Sequence, residues 1–297
     1  MNLTLRISFA NATWLIPSRL VFLSARAFVF LMLSGAAALA GPGEDQRTTE
    51  ARMTPTGIVL DIPGPWPDRA AFLLDFAEAN GTAVVASGPD LFNADHSLHA
   101  AFDLMPHDPA LANAMWVGTG RSLDRNTMEK IAAHKSVVAL VVADTGPGVE
   151  EQLRIFAGAV RKAGGLAVRV HYSGLSHDWK RWDALLGAEP PAALMRALVV
   201  QVPLRERGRL CSFGMMQFAL PDGCIADPGI DAEPAWVLFE FNIHLWQARP
   251  KLETGHTFSR NMIGAQRYVV RHVVDRRYPD GHEYLNPLGV WEMDPVR

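Results

Sequence analysis

The segment from Ser136 to Val170 constrains this chain most. Ser136–Ala143 (SVVALVVA) is short, uncharged and rich in valine. Such a run reads as a β-strand buried on both faces. Val149–Ala163 follows with Glu150 and Glu151 in its first turn and Arg161 and Lys162 in its last. That charge order suits the dipole of a helix. Gly164-Gly165 ends the helix, and Leu166–Val170 reads as the next strand. A strand, a helix and a strand in succession require a mixed fold with helices laid on a sheet.

The flanking sequence extends the pattern. Gly57–Ile62 (GIVLDI) reads as a strand, closed by Pro63-Gly64-Pro65. A helix opens at Pro67-Asp68 and ends at Asn80-Gly81. Thr82–Ala86 and His96–Leu104 read as two further strands. Helices are expected from Asp108 to Met115, from Ser122 or Asp124 to about His134, and over Asp178–Leu186. The order β-α-β-β-α-β over 57–143 matches a split βαβ, ferredoxin-like unit. The expected class is therefore α+β, a mixed sheet with flanking helices, with a doubly wound α/β sheet as the alternative. Beyond Pro190-Pro191, Ala197–Pro203 reads as a strand, and Leu210–Leu220 with Gly223–Ala226 as a hairpin. Pro234–Gln247 reads as a helix with Trp236, Phe239, Ile243 and Trp246 at steps of three and four. Arg267–Val274 and Glu283–Met293 read as the closing strands.

Residues 1–40 contain Arg6, Arg19 and Arg26 and no acid. An apolar run, Ala27–Ala40, ends in Ala38-Leu39-Ala40 before Gly41. A basic flank, an apolar core and a small-residue exit form the pattern of a secretory signal peptide. The run falls short of the ~20 residues of a spanning helix. An uncleaved anchor, or a cytoplasmic chain starting at Met53, is the competing reading. Residues 41–55 read as a flexible linker and 56–297 as one globular domain. Removing three arginines and no acids takes the formal net charge from −3 to −6. That acidic balance gives no electrostatic case for nucleic acid. Periplasmic or secreted location is expected. Cys211 and Cys224 form a disulfide if the chain is exported, or stay as two buried thiols if it is not.

Short motifs are weak. Asp144-Thr145-Gly146 follows a strand as the aspartic-protease turn does, but it has no second copy and reads as a strand-to-helix turn. Gly174-Leu175-Ser176-His177-Asp178 half-matches a nucleophile elbow, yet Ser176 or Asp178 also suits a helix cap. His96 and His99 on a strand leave on opposite faces, and Glu240 with His244 on a helix make only half a metal site. No cofactor or metal signature is present. The densest reactive segment is 255–294. Its weak catalytic candidates are His256, His272, Asp275 and His282, with Arg267 or Arg271 nearby. The competing reading is an arginine-rich, ion-paired sheet edge.

Three stretches carry a family resemblance: Gly165-Leu166-Ala167-Val168 to Trp182, Phe213-Gly214-Met215 to Leu220-Pro221-Asp222, and Asn286-Pro287-Leu288-Gly289-Val290-Trp291. Over about residues 57–294 the chain resembles a family of uncharacterised bacterial domains of unknown function. The resemblance implies bacterial origin and transfers no catalytic residue. The expected function is a non-enzymatic binding or interaction domain of the cell envelope, with another protein as a partner. The alternative is a hydrolase or transferase with a His/Arg/Asp site drawn from residues 255–283.

Overall fold

A computed structural model of the chain describes residues 57–226, 233–260 and 265–296. The expected signal peptide, the linker and Met53 lie outside the described residues. The domain is α+β: two mostly antiparallel sheets with helices packed on them.

The first sheet is built from β1 (Ile58–Gly64), β2 (Val84–Ser87), β3 (Asp90–Asn93), β4 (His99–Pro106), β5 (Ser136–Val142), β6 (Val168–Val170) and β7 (Ser176–His177). Their order is β2-β3-β4-β5-β1-β6-β7. β1 pairs antiparallel with β5 on one side and β6 on the other. β5 and β6 therefore run parallel with β1 between them, joined by helix α4 (Val149–Lys162). A split βαβ unit exists, but it is 136–170 closing around β1, not the 57–143 unit that the sequence suggests. The short β3 explains the difference. It joins β2, β4 and β5 into a meander, so β4 pairs with β5, and β6 takes the place beside β1 expected for the 96–104 strand. No parallel pair occurs in this sheet, so the doubly wound alternative does not describe it.

Strand alternation assigns the faces. Ile58, Leu60 and Ile62 are fully buried and share the core with Leu140, Val142 and Val168. Helix α1 (Arg69–Asn80) contributes Phe72 and Phe76 to it, and α4 contributes Leu153 and Phe156. The opposite face carries Val59 and Asp61 of β1, Ala139 and Val141 of β5, and Ala101 and Asp103 of β4, all only partly buried. One end of this face is covered by α2 (Leu111–Gly118) and α3 (Arg125–Ala132), where Leu111, Met115, Ile131 and Val137 form a smaller core. Elsewhere on this face the described side chains are partly exposed, apart from Arg169 of β6 and Ser176 of β7, which are buried.

The second sheet has β8 (Val200–Leu204), β9 (Arg209–Phe213), β10 (Asp222–Ala226), β11 (Thr257–Ser259), β12 (Arg267–Val273) and β13 (Val290–Pro295), in the order β11-β12-β13-β10-β9-β8. Helix α7 (Glu233–Ala248) buries Leu238 and Phe241 beside β10. β9 and β10 pair as expected, with Cys211 directly opposite Cys224 and the two sulfurs bonded.

Three stretches differ from the sequence reading. Ala192–Leu198 is a helix, α6, so the strand expected from Ala197 begins at Val200. Its alanine- and leucine-rich face is buried, and burial of that face decides for the helix. β9 stops at Phe213, and Met215–Phe218 is a 3-10 turn. Residues 283–289 turn instead of pairing: Leu285 donates to the His282 carbonyl and Gly289 to that of Asn286. Pro287 lacks the donor a ladder needs.

Candidate functional site

A charged cluster sits on the open face of the first sheet. Asp61 on β1 faces Arg169 on β6 across the ladder. Their neighbours Leu60, Ile62, Val168 and Val170 point the other way, into the core. A period of two thus places one acid and one base side by side on the same face. The Arg169 Nη1 donates to Asp61 Oδ2 at 2.7 Å. The Nδ1 of His171, two residues beyond Arg169, donates to the same oxygen at 3.1 Å. Arg169 Nη2 reaches Glu283 at 3.2 and 3.3 Å and the Tyr284 hydroxyl at 3.1 Å. The side chains of Arg169 and Asp61 are 9% and 13% exposed, those of His171 and Glu283 35% and 38%. The cluster is therefore anchored in the protein and open to water on its His171–Glu283 side.

Distant contacts hold Glu283 and Tyr284 in place. Asp275 organises the 275–289 loop that delivers Glu283 and Tyr284. Its carboxylate accepts from the backbone N–H groups of Arg277 and Asn286, both at 2.9 Å. Arg277 is clamped between Asp275 and Asp222, and its guanidinium lies over the Phe213 ring. Tyr284 then rests on Gly174, where an added Cβ would come within 2.7 Å of the hydroxyl. Gly174 has φ +69°, so both backbone and space demand glycine. The turn at Gly174 is pinned from its other side by Gly118 of α2, whose added Cβ would meet the Gly174 carbonyl at 2.1 Å.

Charge placement sets the ionisation of the group. Burial alone raises the Asp61 carboxyl, but His171 and Arg169 outweigh it and hold it below the usual carboxylate range. Burial likewise lowers the His171 imidazole, and the Asp61 carboxylate outweighs that and raises it. Tyr284 is pushed up to about 12, by burial first. Burial and then the Asp61 charge raise Tyr172, whose ring stands edge-on to His171. Among the described residues, nothing hydrogen-bonds to His171 Nε2 or to Asp61 Oδ1.

His256, His272, Asp275 and His282 do not come together. His256 lies just before β11, where its Nδ1 accepts from the Glu253 backbone. The His272 Nε2 donates to the Leu288 carbonyl, and its ring lies 4.8 Å from that of Trp291. Asp275 is the loop organiser described above. His282 stacks on Tyr278 at 4.3 Å and borders Tyr284. Only Asp275 and His282 belong to the loop that completes the cluster, and neither touches the open atoms of the site. Arg271 pairs with Glu292 directly opposite it on β13.

The weaker motifs resolve as structure. Asp178 caps helix α5 (Trp179–Leu186), accepting from Arg181 N–H at 2.6 Å. Ser176 and His177 are buried on β7, and the His177 Nε2 donates to the Ala197 carbonyl. Asp144 accepts from the Gly146 N–H within a turn. His96 is in a turn with φ +58° instead of on a strand, so His96 and His99 both lie 5.2 Å from the Phe92 ring. No group of three or more His, Cys, Asp or Glu residues that could hold a metal occurs among the described residues. Two clefts lie away from the cluster. One, of about 410 Å³, is bordered by Glu240, His244 and Arg260. The other, of about 430 Å³, is bordered by Asn80, Arg154 and Lys162.

The chain matches no protein-family model, no curated protein and no solved structure. Asp61, Arg169 and His171 form no motif in the sequence. The available signal was a single charge inside each of two apolar strands, Asp61 in GIVLDI and Arg169 in LAVRV. Charges there are costly unless they meet.

Proposed function

We propose that this chain is a binding domain whose ligand docks on the open face of the first sheet, at Asp61, Arg169, His171, Glu283 and Tyr284. One observation carries the reading. Three remote chain segments deliver a carboxylate, a guanidinium, an imidazole and a second carboxylate to one place, largely out of water but open on one side. Buried ion pairs are weak contributors to stability relative to apolar packing. Perturbed charged clusters gather at functional sites.

The expected workplace is the cell envelope. The signal-peptide pattern of 1–40 and the Cys211–Cys224 disulfide both support export, since disulfides persist in oxidising compartments. Among the described residues no helix is long and apolar enough to cross a membrane. A screen of small molecules and envelope extracts by protein NMR tests the site. Shifts should centre on His171, Glu283 and Tyr284 and vanish in His171→Gln, with circular dichroism showing that the variant is folded. Binding that leaves these signals still and perturbs another surface sinks the reading. N-terminal sequencing of the protein recovered from a bacterial host tests export. A start at about Gly41 is expected, and a cytoplasmic product starting at Met1 or Met53 refutes it.

A hydrolase or transferase is the second reading, favoured by the Asp61–His171 hydrogen bond. A carboxylate on one ring nitrogen orients an imidazole for proton transfer at the other. Against it, no hydroxyl or thiol nucleophile hydrogen-bonds to His171 among the described residues.

A further inference from the structure

We infer that the ligand of this face is an uncharged, hydroxyl-rich molecule such as a saccharide. The inference rests on the binding-domain reading above and adds the ligand's chemical class.

The charges of the cluster answer one another. Asp61 and Glu283 are two carboxylates facing one guanidinium, Arg169, and one imidazole, His171. An incoming anion meets two carboxylates. Both terminal nitrogens of Arg169 already face Asp61, Glu283 and Tyr284, and its Nε is sealed from solvent without a partner among the described residues. The anion would have to displace a carboxylate to reach the guanidinium. An incoming cation meets carboxylates that are already answered, with the Arg169 charge alongside. Neither sign of charge gains a pairing that the protein does not already make.

What remains open are hydrogen-bonding atoms. Asp61 Oδ1 and the half-exposed Glu283 accept, and His171 Nε2 donates when the ring is protonated. Carboxylate acceptors beside a donor suit hydroxyl groups, which give and accept at one atom. The half-buried rings of His171, Tyr172 and Tyr284 stand beside them, Tyr172 edge-on to His171 and the Tyr284 hydroxyl on Arg169. Next to Asp61 the sheet offers Ala139, and beyond it Asp103 on β4, which pairs with Arg69, with Val59 and Val141 on the adjoining row of the same face.

NMR titration of the full mature domain at pH 6 decides the matter. Four probes are used: glucose, maltohexaose, glutamate and spermidine. Maltohexaose should shift the His171 and Tyr284 signals with millimolar affinity, glucose more weakly, and the charged probes not at all. Glucose binding as tightly as maltohexaose would assign the site to a free sugar instead of a glycan chain. Glu283→Gln should weaken saccharide binding at least tenfold. Because Glu283 also holds Arg169, His171→Gln is measured beside it, with the thermal melt recorded for both, and should weaken binding by a similar factor. Shifts caused by glutamate or spermidine and not by either saccharide refute the ligand class and leave the binding face standing. Silence from all four probes at His171 and Tyr284 refutes the inference. A hit elsewhere on the domain refutes the binding face as well.

Discussion

Two histidines of this domain titrate in opposite senses, each for a local reason. His177 is buried, its Nε2 donates to the Ala197 carbonyl, and its Nδ1 has no partner among the described residues. A proton on Nδ1 would find nothing to accept it, and burial holds the ring down to about 4. The unfolded chain takes that proton near pH 6.5, so His177 contributes stability above 6.5 that is lost as the pH falls through 4. The loss is on the order of 3 kcal/mol. Urea unfolding of the protein and of His177→Gln between pH 7.5 and 4 should show a shallower acid limb in the variant. Equal slopes contradict the assignment. His171 behaves in reverse. Its raised folded value means stability present below about 6.5 and lost as the pH rises through the raised value. His171→Gln should therefore cost more at pH 6 than at pH 9.

Element ends and junctions carry the next set of constraints. The cap at Asp178 satisfies the Arg181 N–H, so Asp178→Ala should lower stability by about 1 kcal/mol in a denaturant titration. A larger effect is expected at the 275–289 loop. Arg277, Asp222 and Asp275 have side chains 4%, 2% and 1% exposed. Burial lowers the Arg277 guanidinium, and the two carboxylates outweigh it and raise it. Arg277→Ala leaves both carboxylates buried and unanswered and should cost about 3–5 kcal/mol, read as a drop in the denaturation midpoint. The loop carries Glu283 and Tyr284, so this variant should also disturb the NMR signals of His171. Undisturbed signals would separate the loop from the site. The disulfide staples β9 to β10, with Cα atoms 4.1 Å apart and 13 residues of separation. Its removal in the Cys211→Ser, Cys224→Ser double variant should cost on the order of 3 kcal/mol.

At the scale of the molecule, one apolar core runs through both sheets. Ile58, Leu60 and Val142 of the first belong to the same cluster as Ile225 and Met293 of the second, with Phe218 and Leu238 between them in sequence. A shared core couples the sheets, so a single cooperative unfolding transition is expected. Near- and far-ultraviolet circular dichroism melts should coincide, and two separated transitions would show that each sheet unfolds alone. Local pattern was enough for β1, α1, β5, α4 and β12, because their period and end residues agree with their final environment. Cys211 and Cys224 were legible as a pair once a turn was placed between them. The class of the fold followed from the same elements. The partner of each strand did not, because pairing in a sheet is a choice among competing neighbours that the short β3 decided. The candidate site was illegible for the same reason. Asp61 and Arg169 are 108 residues apart and Arg169 and Glu283 114, and such contacts leave no mark on local periodicity. Only the tertiary structure brings them together, since a charge inside an apolar strand demands a partner but does not specify which.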